Sequence, residues 1–284
     1  MSLKKAYTDF IQAENIKGSN KALSYIRALD LLDKILKRSP LFNLSDLWSV
    51  SSIEKIGFLY EYALSFQKKE GSVFLQKDLP PSYGRNGYYS AALKSYRQFL
   101  IVHQYEDQLW KIYRNPKIAP KELSRLLVAQ KAESIEHLVS DKGIDLESRE
   151  GRDVLRTEKA RLGQGFFRKM IMSQYQTRCC ITGLNIPEVL RASHITGWAE
   201  DPQNRMNPCN GLCLSATYDA AFDRHLISFD EDYRMVLSPS LKEYYTNKAF
   251  KDYFLSREGD VISQPVRYFP DKTLLEKHRQ KMAS

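Results

Sequence analysis

The sequence predicts an α+β protein, with a helical N-terminal domain over residues 1–145 and a mixed domain over 146–284 whose core spans about 178–238. Three observations predict it. Apolar residues recur at helical spacing through the first 140 or so residues. After Tyr175 the apolar runs become short, as strands do. Between the two textures lies a highly charged stretch, "DLESREGRDVLRTEKARLGQ" (145–164), read as including the junction.

The helices follow in order. "NKALSYIRALDLLDKILKR" puts Leu23, Ile26, Ala28, Leu29, Leu32, Ile35 and Leu36 on one face. "SSIEKIGFLYEYALSFQKKEG" opens with Ser51 three residues before Glu54, a capping-box pattern, and closes at Gly71. After the turn-rich "LPPSYGRNG", the segment "YYSAALKSYRQFLIVHQ" aligns Tyr89, Ala92, Leu93, Tyr96, Phe99 and Leu100. These aromatics, interleaved with Lys94 and Arg97, could form a base-stacking surface. Their coincidence with the core stripe favours packing, leaving only the two cations to face a nucleic acid. A further helix starts near Pro120 and runs through "KELSRLLVAQKAESIEHLVS". Beyond the junction, "GFFRKMIMSQY" reads as a helix, "VLRASHI" and "GLCLSA" as strands, and "SATYDAAFDRHL" as a helix. "LISFDEDYRMVLSP" has the alternation and acidic turn of a hairpin.

Composition narrows the classes of function. No run approaches the ~18 apolar residues of a membrane span. The N-terminus is amphipathic at once and has no signal-type apolar core, so a cytoplasmic location is expected. A net charge of +9 draws the chain towards polyanions without identifying one. The four cysteines, Cys179, Cys180, Cys209 and Cys213, lack the paired C-x-x-C spacing of a structural zinc site and read as buried free thiols.

A lone His194 in "LRASHITGW" would ordinarily be a packed core histidine. Its surroundings change that reading. Asn210 follows in "NPCNGLCL", and Asp219 and Asp223 stand four apart in "TYDAAFD", on one face of a helix. Two carboxylates suit a hard divalent cation such as Mg²⁺ and leave positions for phosphate and water. A histidine on a facing strand could then deprotonate water, with Asn210 holding the imidazole or its loop.

The order "CCITG…VLRASHITGW…NRMNPCNGLCLSATYDAAFDRHLISFD" resembles the HNH endonuclease family in its ββα-metal form. The likeness extends upstream to "GQGFFRKMIMSQYQTRCCITG" and downstream to "PDKTLLEKHRQKM", covering about residues 155–284. It implies a metal-dependent DNA endonuclease with His194 as general base and Asn210 orienting the catalytic loop. Asp219 and Asp223 would be the metal positions, for Mg²⁺, Mn²⁺ or another transition metal. Arg191, Arg205 and Arg224 are candidates for nucleic-acid contacts. The resemblance also implies a bacterial restriction or anti-phage setting and 5′-phosphate and 3′-hydroxyl products. With one active site per unit, a homodimer is the simplest way to cut both strands.

Two positions depart from the family pattern. Ser193 stands where many members carry a ligand, and Tyr218 and Asp219 stand where the third letter of HNH is expected. A decayed site that only binds DNA, or a non-specific nuclease toxin acting on DNA or RNA, are the competing readings. His225 lies on a different helix face from Asp223, Trp198 reads as packing, and His103, His137 and His278 have no comparable company.

Overall fold

The computed structural model describes residues 2–13, 19–39, 42, 44–129, 136, 145 and 147–283. They fall into two compact units, one within 2–105 with residue 136 and one within 106–129 and 145–283.

The first unit is helical: α1 (Leu3–Ala13), α2 (Lys21–Arg38), α3 (Ile53–Phe66), the short α4 (Pro81–Arg85) and the start of α5 (Tyr88–Arg114). The stripe expected on α5 is buried throughout, packed with Tyr7, Leu29, Leu32 and Leu59. On α2 the expected face holds except at Leu23, which is 66% exposed because it lies six residues from Leu29 and so a third of a turn off the stripe. α3 is shorter than the sequence pattern. Its N-cap is Ser52, whose hydroxyl accepts from the Lys55 amide at 3.1 Å, so Ser51 stands one residue outside the helix. Gln67 follows the last helical residue, and Gly71, with φ +76°, belongs to a separate turn. Arg97 is turned onto its own unit, beside Gly57.

Residues 106–129, placed by the sequence pattern in the N-terminal domain, pack instead with the C-terminal half. Trp110 meets Phe166 edge-on at 4.9 Å, Lys169 pairs with Glu106 at 2.6 Å, and Ser124 of α6 (Pro120–Ala129) donates to the Gln203 carbonyl. The rest of the helix expected through 140 lies outside the described residues.

The charged stretch read as a junction is the first half of one long helix, α7 (Arg149–Gln174). Ser148 caps it by accepting from the Gly151 amide at 2.9 Å, and pairs such as Arg161–Glu158 lace its solvated face. No proline interrupts it, so charge alone does not break the helix.

α7 carries the small sheet that follows. β1 (Leu190–His194) runs antiparallel to β2 (Gly211–Ser215), with Leu190 opposite Ser215 and His194 opposite Gly211. β2 passes directly into α8 (Ala216–Asp223), completing a strand–strand–helix unit. The expected hairpin follows as β3 (Ile227–Phe229) and β4 (Met235–Leu237), its turn held by Asp230, whose carboxylate accepts from the Asp232 and Arg234 amides. After α9 (Lys248–Tyr253), the last helix, α10 (Lys272–Gln280), packs on β3. All four cysteines are free and buried. Among the described residues, no helix is long and apolar enough to cross a membrane.

Candidate active site

β1, α8 and the middle of α7 enclose a cavity of about 450 Å³. Its lining includes His194, Ser193, Asp219, Asp223 and Arg191, so these residues singled out in the sequence are brought to one cavity.

His194 is fixed from three sides. Its ring lies face to face on Phe167 of α7, centroids 3.7 Å apart, and Trp198 meets its edge at 5.6 Å. Nε2 lies 3.1 Å from the Arg205 carbonyl. A carbonyl can only accept, so Nε2 carries the proton and Nδ1 of the neutral ring keeps its lone pair. Nδ1 has no hydrogen-bond partner among the described residues. Burial pushes the imidazole below the usual histidine range, against the Arg205 carbonyl, which works the other way. Burial and the Nε2–carbonyl contact thus favour the neutral ring with its proton on Nε2.

Asn210 acts on the loop rather than on the imidazole. Buried just before β2, it accepts from the Thr196 amide at 2.8 Å and donates to the carbonyls of Thr196 and Asn204, each at 3.1 Å. Its own carbonyl accepts from Ile195 at 3.0 Å. These bonds staple the chain leaving His194 to the strand opposite. Gly211, which follows it, is extended, and a Cβ there would lie 2.4 Å from Ile171 Cδ1 and 2.7 Å from Phe167 Cζ. Glycine lets β2 approach α7, and with it the phenylalanine under the imidazole.

Asp219 and Asp223 stand one turn apart on α8. Burial raises the Asp223 carboxyl and the Asp219 charge raises it further, with Arg224 and His225 opposing. Ser193, at the expected ligand position, is buried and donates its hydroxyl to Asp219 Oδ1. Tyr218 faces away, its hydroxyl on the Tyr253 carbonyl and its ring against Phe254. It is a core residue, so the departure at that position leaves no gap in the cavity wall.

Two carboxylates beside a hydroxyl form a hard-oxygen donor set, and their mutual repulsion is what a divalent cation would relieve. Among the described residues, no three His, Cys, Asp or Glu side chains cluster to enclose an ion unaided. The residues fit a cation that keeps most of its positions for water and phosphate, as Mg²⁺ does.

The remaining candidates scatter. Arg205 turns its guanidinium back, donating to the Trp198 carbonyl at 2.7 Å and lying over that indole. Arg224 is exposed and bonds the Ala220 carbonyl. His225 leaves the helix with φ +54° and meets His278 at 3.0 Å, outside the cavity lining. His103 stacks on Phe99 in the first unit, and His137 lies outside the described residues. Phe167, Arg168 and Gln164 of α7 also line the cavity. Helical periodicity across "GQGFFRKM" shows that one face of this segment is buried but not what it is buried against.

Residues 179–230 match a family model described as HNH endonuclease. No curated protein matches the chain.

Proposed function

We propose that this chain, whose residues 179–230 form a domain of the HNH endonuclease family, is a metal-dependent DNA endonuclease with the cavity around His194 as its active site. One observation carries the reading: a neutral imidazole with a free Nδ1 lines the same cavity as two repelling carboxylates.

In this reading His194 Nδ1 takes a proton from a water that attacks the scissile phosphorus in line. Nε2 stays on the Arg205 carbonyl, so the positive charge that develops on the ring is met by a fixed dipole. Phe167 and the loop stapled by Asn210 hold the ring in place. Asp219 and Asp223 would hold a divalent ion, most readily Mg²⁺, which when bound neutralises the phosphate and stabilises the leaving 3′-oxygen. Ser193 orients the Asp219 carboxylate instead of ligating the ion. The ends produced would be 5′-phosphate and 3′-hydroxyl. The family analogy extends the proposal to a restriction or anti-phage role, and the single site per chain extends it to a homodimer for double-strand cutting.

Supercoiled plasmid with Mg²⁺ or Mn²⁺ tests the enzyme reading. Nicking by the wild type that is lost in His194→Ala supports it. No nicking across several metals sinks it in favour of a DNA-binding role, and equal nicking by both proteins removes His194 from the chemistry.

A further inference from the structure

Two arginines in the cavity lining are brought together by one oxygen. The Leu190 carbonyl accepts from Arg168 Nη1 of α7 and from Arg191 Nη1 of β1, each at 2.9 Å. The two donor nitrogens thus lie within about 6 Å of each other, where like charges repel. Further carbonyls hold them there: Pro187 accepts from Arg168 Nη2 at 3.1 Å and Glu188 from Arg191 Nη1 at 3.1 Å. Neither guanidinium forms an ion pair among the described residues, and both line the cavity. Carbonyl dipoles orient a guanidinium without neutralising it, and each fork retains unused N–H donors. The pair is a preorganised site for an anion with several oxygens.

Its place along β1 says which anion. Leu190 is four residues from His194, about 13 Å at the strand rise of ~3.3 Å per residue. The carbonyl that anchors both guanidiniums is therefore displaced along β1 from His194, which favours a phosphate next to the one beside the imidazole over that phosphate itself. We propose that Arg168 and Arg191 form a second phosphate subsite, which takes the non-bridging oxygens of a phosphodiester flanking the one that is cut. The word "flanking" rests on the nuclease reading; the phosphate subsite itself does not.

The test uses the full chain in two measurements. Binding of a short fluorescein-labelled DNA duplex is followed by anisotropy against salt, in EDTA, with no cleavage. Arg191→Gln, on an exposed side chain, should weaken binding about ten-fold and lower the slope of log K against log salt by about one. Arg168→Gln should do the same. Arg168→Lys, which keeps the charge, should restore the slope if Arg168 acts on a phosphate and not only on the fold. Unchanged slopes in both glutamine variants overturn the proposal.

In the nicking assay, Arg191→Gln should raise KM with kcat within about two-fold, as for binding energy realised equally in ground and transition states. A fall in kcat matching the fall in kcat/KM would put the arginine on the reacting phosphate and overturn the flanking assignment. Lowered slopes in a protein that never nicks DNA would leave the subsite standing and remove the nuclease. Nicking with unchanged slopes would do the reverse.

Discussion

The molecule contains two versions of one histidine environment. His194 lies on Phe167 at 3.7 Å and 12°, and His278 of α10 lies on Phe222 at 3.8 Å and 5°. Each presents Nε2 to a backbone carbonyl, Arg205 at 3.1 Å and Phe222 at 3.0 Å, and burial lowers both. His278 Nε2 is also 3.0 Å from His225 Nδ1, and the two rings differ further at Nδ1. His278 Nδ1 accepts from the Ser228 hydroxyl at 2.9 Å, and the ring is 3% exposed. His194 Nδ1 is left to the cavity. On the proposed reading, the uncommitted Nδ1 lone pair is what would let His194 act as a base where the buried, fully bonded His278 would not.

Substituting each ring should give opposite results. His194→Ala is expected to slow cleavage by about 10²- to 10⁴-fold, the usual worth of a positioned general base, with a smaller loss of stability than His278→Ala because its Nδ1 strands no buried partner. His278→Ala should leave the kcat of the folded enzyme close to wild type. It should cost about 2–3 kcal/mol of stability, measured by urea unfolding, because it strands a buried hydroxyl and opens a cavity. A variant pair that traded these effects would break the comparison.

The shared wall is tested by Gly211→Ala. Its Cβ would press on Ile171 and Phe167, destabilising by about 1–3 kcal/mol and lowering kcat by displacing the ring under His194. Ile171→Val in the same chain should recover part of both losses.

Acid sharpens the contrast. The folded His278 pKa is depressed to about 4, against an unfolded value of ~6.5. As pH falls below the unfolded value, the unfolded chain takes the proton first, so this group's contribution is full above ~6.5 and declines down to about 4. His278→Asn should therefore flatten the fall in melting temperature over that window. His194 is depressed in the same direction, so the acid limb of kcat/KM should fall below ~6.5, the ordinary histidine value.

The smallest effect on stability concerns the carboxylates. Asp223 is raised by burial and by Asp219, so its charge opposes folding once pH passes the folded pKa. Asp223→Asn should raise the melting temperature of the metal-free protein by about 1 °C, given its exposure, while abolishing cleavage. A fall would mean that the carboxylate is held by something other than a cation.

How much of this was legible depended on whether the signal was local. β1, β2, α8 and the hairpin each follow from a short period and a turn, and the spacing of Asp219 and Asp223 alone puts them on one face. The ends of α3 were less legible, because Ser51 and Ser52 are equal candidates until the backbone selects one cap. Residues 106–129 are apolar at helical spacing, which says that they are buried but not in which unit. Phe167 and Arg168 reach the cavity from a helix more than twenty residues away in sequence, and no periodicity announces such a pairing. Ser193 was readable as a poor ligand. That it donates to Asp219 depends on how α8 lies across β1.

The contact that sets the tautomer of His194 comes from the main chain of residue 205, while the Arg205 side chain is occupied with Trp198. Every amino acid has that carbonyl. The instruction telling His194 which nitrogen to offer is thus written in the path of the loop and not in the identity of the residue that supplies the carbonyl. A search for the determinants of this base by side-chain replacement would pass over one of them without a signal.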